Sequence, residues 1–391
     1  MSQQNEQAYT GKFESAPRPQ GNRKRLFVLL ILILVLTRLV ATGLKALSIA
    51  EYYIGGGRTL IYGDIKRVAF GDSLKSGEGD DARSIPILNQ DDPVPSGESE
   101  YVIQRDDGRT LEYHGHTYAL NEDLVTVLFL GIDRHLNDEN LAIDESRGQV
   151  DTLVLIAIDS RTGETKLLNL SREMYAQVDV YSVNGKFIET RYEQISSAFG
   201  HADGGVLSCE NTVASLSRLF YGLPISRYIA IDMDGIQAAN EAVGGVTVKS
   251  RMEFTDNDGT QIREGDRVTL HGRALDRYIR RRSHYSVEAN SYRMERQMQY
   301  VTAFSKLVVS RSKKNLSFPV DLFSSLSPYM VTNLGIPDVT FLSSCYLGNG
   351  AEFTFRTVNG TYGTLNRSAC YYLDEVDLFE AVLETFYIRT D

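Results

Sequence analysis

Two apolar runs set the strongest limit on the fold: "TVLFLGI" (Thr126–Ile132) and "TLVLIAI" (Thr152–Ile158). Neither alternates apolar with polar residues, so a strand built from either one needs cover on both faces. Their flanks supply the cover. "ENTVASLSRLFYG", "MDGIQAANEAVGG", "HGRALDRYIRRR", "SYRMERQMQYVTAFSKLVVS" and "EVDLFEAVLETFY" have helical spacing, while "KLLNL", "RYIAID", "VTVKS" and "DRVTL" read as strands. Mixed strands and helices in this order predict a layered α/β domain. "LEYHGHTYAL" alternates around His114-Gly115 and reads as a hairpin. "VGGV" at 243–246 follows a helix, lacks the G-x-x-x-x-G-K pattern and reads as a turn.

The ends of the apolar runs carry acids. Asp133 follows the first run and Asp151 precedes the second. The two meet only if the strands run antiparallel. Converging carboxylates suit a hard divalent cation such as Mg²⁺ (or Mn²⁺), which keeps waters and takes phosphate oxygens. Spacing alone leaves the other reading open, in which Asp133 caps a turn and Asp151 pairs with a nearby cation.

Arginines punctuate the same region. Arg172 stands where "LLNL" runs out, Arg280, Arg281 and Arg282 occur in "YIRRRSH", and Arg293 and Arg296 in "YRMERQ". On a helix Arg293 and Gln297 share a face. Guanidinium groups match phosphate bidentately and hold their charge. Several converging beside a metal would hold a pyrophosphate and stabilise a leaving phosphate. A solvated charged helix face is the alternative reading of residues 277–296. Ser171 lacks the G-x-S-x-G setting of a hydrolase nucleophile, and the histidines show no ligand spacing.

The net charge of -10 argues against a nucleic-acid partner. At the N-terminus, Arg23, Lys24 and Arg25 precede an apolar run from Leu26 that continues to about Ile49, broken by Arg38 and Lys45. The basic flank places the tail in the cytoplasm and the rest outside. There is no small-residue cleavage site, though a cleaved secretory signal stays open, and both readings export the domain. The three cysteines, Cys209, Cys345 and Cys370, are too few and too scattered for a zinc site. One disulfide or three free thiols are both open.

Taken in order, "VLFLGID", "VDTLVLIAID", "LLNLSRE", "YGLPISRYIAIDMDGIQAANEAVGGVTV", "LHGRALDRYIRRR" and "RMERQMQYV" resemble the LytR-CpsA-Psr family of cell-wall glycopolymer ligases. The resemblance covers roughly 124–310 and implies a layered α-β-α domain with a mixed central sheet, preceded by one transmembrane helix. It implies a membrane-anchored extracellular phosphotransferase that moves a glycopolymer (teichoic acid, capsule or another wall glycan) from a polyprenyl-pyrophosphate carrier to peptidoglycan, in a Gram-positive-type envelope. Asp133 and Asp151 match the family's metal-linked acids, with Mg²⁺ as the expected ion. Arg172 matches the arginine of the S-R-D segment, Arg280 and Arg282 the R-x-R pair, and Arg293 with Gln297 the R-x-x-x-Q. The expected catalytic set is therefore Asp151, Arg172, Arg280, Arg282 and Arg293, with Gln297 joining the arginines around the pyrophosphate.

The chain departs from the family pattern at Gln149, Glu173, Gln194 and Asn290. The departures at Gln149 and Gln194 motivate one alternative, a non-catalytic protein that binds lipid-linked glycan or wall polymer; a polyprenyl-pyrophosphate phosphatase, using the same site with water as acceptor, is another. The expected organisation is a cytoplasmic tail at 1–25, a transmembrane signal-anchor at 26–47 and an extracellular stalk at 48–100. An accessory hairpin at 101–123, a catalytic domain at 124–310 and a C-terminal extension at 311–391 packed on that domain follow.

Overall fold

The two apolar runs lie side by side as antiparallel strands at the centre of a six-stranded mixed sheet. The computed structural model describes residues 68–76, 83–93, 100–134, 148–281, 289–350, 352–365 and 368–391. Residues Met1–Ile49 and Ala50–Asp391 form separate units. The expected tail and signal-anchor lie outside the described residues. Among the described residues no helix is long and apolar enough to cross a membrane.

Five strands come first: β1 (Ser73–Ser76), β2 (Arg83–Asn89), β3 (Val102–Arg105), β4 (Thr110–Tyr113) and β5 (His116–Leu120). The C-terminal strand β20 (Tyr387–Arg389) joins them in an accessory sheet ordered β1-β2-β3-β4-β5-β20. The expected hairpin is present, with Tyr113 opposite His116 and both loop residues, His114 and Gly115, at positive φ. That is the geometry a two-residue hairpin loop requires. The expected stalk is different. Within 48–100, β1 and β2 belong to this sheet, and Val68, Phe70, Leu74, Ile85 and Ile87 are buried in the main core. The alternation is only a few residues long there, and the Gly, Asp and Ser around it hide it.

The central sheet takes β6 (Leu124–Ile132), β7 (Val150–Asp159), β8 (Thr165–Leu170), β11 (Arg227–Asp232), β16 (Met330–Thr332) and β17 (Thr354–Thr357), in the order β16-β11-β6-β7-β8-β17. The β11/β6 and β8/β17 pairs are parallel and the others antiparallel. Two-stranded pairs branch from it: β9 (Tyr175–Tyr181) with β10 (Phe187–Gln194), β12 (Val246–Lys249) with β15 (Arg267–Leu270), β13 (Phe254–Thr255) with β14 (Gln261–Ile262), and β18 (Gly360–Leu365) with β19 (Ser368–Leu373). The helices are α1 (Val206–Leu219), α2 (Met233–Ala242), α3 (Gly272–Arg280), α4 (Ala289–Lys314), α5 (Phe318–Leu326), α6 (Ile336–Gly348) and α7 (Glu375–Phe386).

Period-two alternation sorts the strand residues between two faces. Leu128, Leu130, Leu153, Leu155 and Ala157 face one core, shared with α1, α7 and the accessory sheet. Phe129, Ile156 and Ile229 point to the opposite face, against which α6 packs on β7. A second core gathers Val246, Leu270, Leu275, Tyr278 and Tyr300 from β12, β15, α3 and α4. The expected turn at 243–246 links α2 to β12 through Gly244 and Gly245. At Gly245, φ is +82° and a Cβ would lie 2.4 Å from the His271 ring, so only glycine fits.

The tail beyond 310 is more than an extension. It supplies β16 and β17, the two edge strands of the central sheet, and the expected boundary at 310 falls inside α4. All three cysteines are free thiols, with Cys209 and Cys370 fully buried and Cys345 half-buried. Burial pushes the Cys209 thiol up to about 12. Alkylation of the native protein at pH 8 should therefore label Cys345 alone, and mass spectrometry after digestion reads the result. Rapid labelling of Cys209 would contradict this core.

Asp179 on β9 is buried and joins three elements, accepting hydrogen bonds from Thr190 on β10 and Arg218 on α1. Burial alone raises its carboxyl, but these bonds outweigh it and hold it below the usual range. A depressed carboxylate stabilises the fold above its unfolded pKa of ~3.9, and that contribution is lost as pH falls through the folded value. Arg218→Met should cost roughly 1–2 kcal/mol at pH 7, a figure held low because Arg218 is partly exposed. The difference from the parent should shrink at pH 3 in urea denaturation.

Candidate functional site

The site begins with an irregularity in the β6/β7 ladder. Gly131 pairs with Thr152 but Ile132 pairs with Val150, so Asp151 is an extra residue in a β-bulge. Val150 and Leu153 are both buried, three residues apart, because the bulge reverses the alternation. The bulge thus frees Asp151 from the ladder. Gly148, at φ +77°, precedes it, and a Cβ there would lie 2.6 Å from Ile132 Cγ2. The Asp133 amide donates to the Gln149 carbonyl at 2.9 Å, which ties the end of β6 to the start of β7. The antiparallel pairing therefore sets Asp133 and Asp151 at the same end of the sheet.

Each acid is held by guanidinium. Asp151 forms an ion pair with Arg172, and Arg293 Nη1 lies 3.7 Å from the same carboxylate oxygen. Asp133 pairs with Arg280. Arg172 follows β8, and Arg293 sits in the first turns of α4 at 2% exposure. A small cleft is lined by Asp151, Asn169, Ser171, Arg172, Arg293 and Gln297. Among the described residues, buried Arg172 Nε has no hydrogen-bond partner. A buried, unsatisfied guanidinium donor is costly unless a ligand engages it, and an anion suits it.

Helix α4 also fixes Arg280. The last carbonyls of α3 have no partner within their own helix. Arg296, 6% exposed, donates Nε to the Tyr278 carbonyl at 2.8 Å and also bonds the Arg281 carbonyl. Gln297 Nε2 donates to the Ile279 carbonyl at 3.3 Å. These two side chains hold the end of the helix that carries Arg280. Gln297 therefore plays a positioning part in addition to lining the cleft.

The structure thus brings Asp151, Arg172, Arg293 and Gln297 together and joins Asp133 to Arg280. Arg282 and the side chain of Asn290 lie outside the described residues. Gln194 donates to the Ala369 carbonyl at 2.6 Å in the β18/β19 hairpin. Glu173 is 5% exposed, and among the described residues its buried Oε2 has no hydrogen-bond partner. Sequence reasoning missed Asn169, which also lines the cleft, and Tyr362 of β18, which lies within electrostatic reach of Glu173 and Arg293. Burial and the Glu173 charge push the Tyr362 phenol up. "LLNLSRE" contained the signal for Asn169, but nothing in the sequence pointed to Tyr362.

Carboxylates and arginines gathered at the end of a mixed sheet are chemically suited to a phosphate-bearing ligand. The sequence model of the LytR_cpsA_psr family matches residues 96–385, and the chain belongs to that family. It is 25% identical over 257 residues to a polyisoprenyl-teichoic acid–peptidoglycan teichoic acid transferase TagU of Oceanobacillus iheyensis, covering 66% of this chain and 73% of that protein. The protein of the same description from Bacillus subtilis is 23% identical over 265 residues, covering 67% and 77%. The crystal structure of B. subtilis TagV superposes with a TM-score of 0.52 at 22% identity, over 67% of this chain and 95% of that one, which establishes the shared fold.

Replacing Arg296 by methionine strips the α3 carbonyls of their donors. Loss of buried hydrogen bonds of this kind should cost about 2–4 kcal/mol. Guanidinium chloride unfolding measures it, and a variant as stable as the parent would remove Arg296 from this role.

Proposed function

We propose that the chain is a phosphotransferase of the cell envelope that moves a glycopolymer from a polyprenyl-pyrophosphate carrier to peptidoglycan. The observation that carries this reading is the Asp151 carboxylate shared by Arg172 and Arg293, with the unsatisfied Arg172 Nε beside it. The curated relatives, named as teichoic acid transferases, support it.

In this reading Arg172 and Arg293 bind the pyrophosphate oxygens and stabilise charge that develops on them. Arg280, and Arg282 as the second arginine of its R-x-R, take the outer oxygens. An acceptor sugar hydroxyl attacks the glycan-bearing phosphorus in line. A P–O bond to the acceptor forms as the bridging P–O bond breaks, and polyprenyl phosphate leaves. Asp151 accepts the hydroxyl proton.

The donor chemistry also fits a divalent cation. Among the described residues no three His, Cys, Asp or Glu side chains gather as a ligand set. Two carboxylates at paired strand ends still suffice for Mg²⁺, which retains waters and binds phosphate oxygens. Asp133 and Asp151 would hold it, and when bound it would supply charge neutralisation at the pyrophosphate.

The isoprenoid chain needs an apolar bed, and the face of the sheet under α6, with α5 packed beside that helix, would serve as one. Helix α5 carries Phe318, Val320, Leu322 and Phe323 yet buries no residue, and α6 buries only Phe341. Phe129, Ile156 and Ile229 on the central strands are only half-buried. The apolar run from Leu26 would anchor the chain in the membrane with the domain outside.

The test uses the full-length chain in detergent, a polyprenyl-pyrophosphate-linked glycan, peptidoglycan oligomers and Mg²⁺. Release of polyprenyl phosphate and mass gain on the acceptor should rise together. Arg172→Ala should lower kcat by on the order of 10²–10³-fold. Full activity in that variant would exclude the assigned role, and lipid release without acceptor gain would make the protein a phosphatase.

A further inference from the structure

The hairpin of β9 and β10 differs from the other paired strands in what it leaves open. Among the described residues the two form a sheet of their own, and the outer edge of β10 pairs with no strand. Every residue from Phe187 to Tyr192 is exposed, Ile188 at 57% and Tyr192 at 68%. The strand reads "FIETRYEQ", without the proline or lysine that commonly blunts an edge. Its one bulge lies at Ile188, and the register is regular from Glu189 to Gln194. A long open edge with apolar side chains is a template for another strand.

The main chain limits how that strand can lie. The Gln177 and Asp179 carbonyls of β9 accept from Arg218 and Asn211 of α1, at 3.1 and 2.7 Å, and the Tyr181 amide donates to the His201 carbonyl at 2.9 Å. These β9 residues turn their main-chain groups away from β10. In an antiparallel ladder, opposite residues either exchange both bonds or exchange neither. Thr190 stands opposite Asp179, and Tyr192 opposite Gln177. Both therefore aim their amide and carbonyl groups at the open edge, where an incoming strand must meet them.

The side chains select which strand that is. Glu189 and Arg191 flank Thr190, share one face of β10 and pair with each other. In a two-fold antiparallel pairing centred on Thr190, Glu189 of each copy stands opposite Arg191 of the other, and Ile188 opposite Tyr192. Opposite charges, and an aromatic beside a β-branched chain, are both favourable cross-strand pairs. Centring on Arg191 would set arginine against arginine. Centring on Tyr192 would call on Glu193 and Gln194, which already hold His201 and the Ala369 carbonyl.

We propose that β10 is a self-complementary edge through which two copies of this chain pair as a two-fold dimer. The inference stands independently of the transferase reading. One strand pair buries less than the roughly 1,200 Å² of stable interfaces, so the dimer is weak in dilute solution. Copies anchored in one membrane through the Leu26 run would meet at a raised effective concentration.

Covalent trapping reads a weak dimer. Full-length chain in detergent carries Cys345→Ser, which leaves the buried Cys209 and Cys370 as its thiols. Thr190→Cys puts a thiol on the two-fold axis, about 5.5 Å between Cα atoms from its counterpart and within disulfide reach. With copper phenanthroline as oxidant, it should give disulfide dimers at least about tenfold faster than Leu316→Cys, a control at a position 69% exposed. Adding Glu189→Arg should slow trapping about tenfold, and adding Arg191→Glu to that chain should restore it, because the swapped pair is again complementary. Thr190→Cys gives up the bond to Asp179, so a second trap mixes Ile188→Cys chain with Tyr192→Cys chain. The mixture should cross-link faster than either chain alone. The proposal is overturned if both traps react no faster than Leu316→Cys, if Glu189→Arg leaves the rate unchanged, or if the charge swap fails to restore it.

Discussion

The antiparallel pairing of β6 with β7 is the constraint on which the site depends. Two strands with apolar residues on both faces take the centre of the sheet because only there are both faces covered. Their pairing sets the end of one beside the start of the other. The bulge at Asp151 then turns one carboxylate out of the ladder while Val150 stays in the core. Without the bulge, period-two alternation would bury either Asp151 or the residues flanking it. The rigid centre of the fold therefore supplies the acids, and elements at its margin supply the bases.

Those bases arrive by different routes. Arg172 reaches Asp151 because β8 neighbours β7. Arg293 reaches it from a helix more than a hundred residues further along, so its position depends on how α4 lies across the domain. Arg280 depends on α4 indirectly, since Arg296 and Gln297 hold the last carbonyls of α3. One helix thus carries a cleft-lining arginine and, a single turn later, the residues that hold the end of the helix carrying another. A small shift of α4 would move both at once.

This explains what was legible in the sequence. The β6 and β7 runs and most helices could be read directly, because local period and apolar content decide them. Asp133, Asp151 and Arg172 stood out as charges at the ends of apolar runs, whereas Arg293 was singled out by its basic run and by its match to the family's R-x-x-x-Q. Other features arise from contacts distant in sequence. Arg293 and Arg296 look alike on paper, yet one faces the cleft and the other caps a neighbouring helix. The edge strands β16 and β17 are three and four residues long, too short to carry a period. Strands β1 and β2 were hidden by the polar residues around them. Tyr362 comes near the site because its partner strand β19 is tied to Glu173 through the Tyr371 amide.

The charges of the site also constrain its ligand. Asp133 and Asp151 are each neutralised by arginine, so a bare anion would have to pull guanidinium away from carboxylate and leave that carboxylate uncompensated in a half-buried place. A bare cation faces the converse cost. A ligand carrying both signs avoids each penalty, because its phosphates take the guanidinium groups while its counter-cation takes the carboxylates. The proposed ligand, a metal-bound pyrophosphate, would suit this paired arrangement better than either component alone. It also keeps four charged side chains ordered at a sheet end where unpaired charges would repel or swing into solvent.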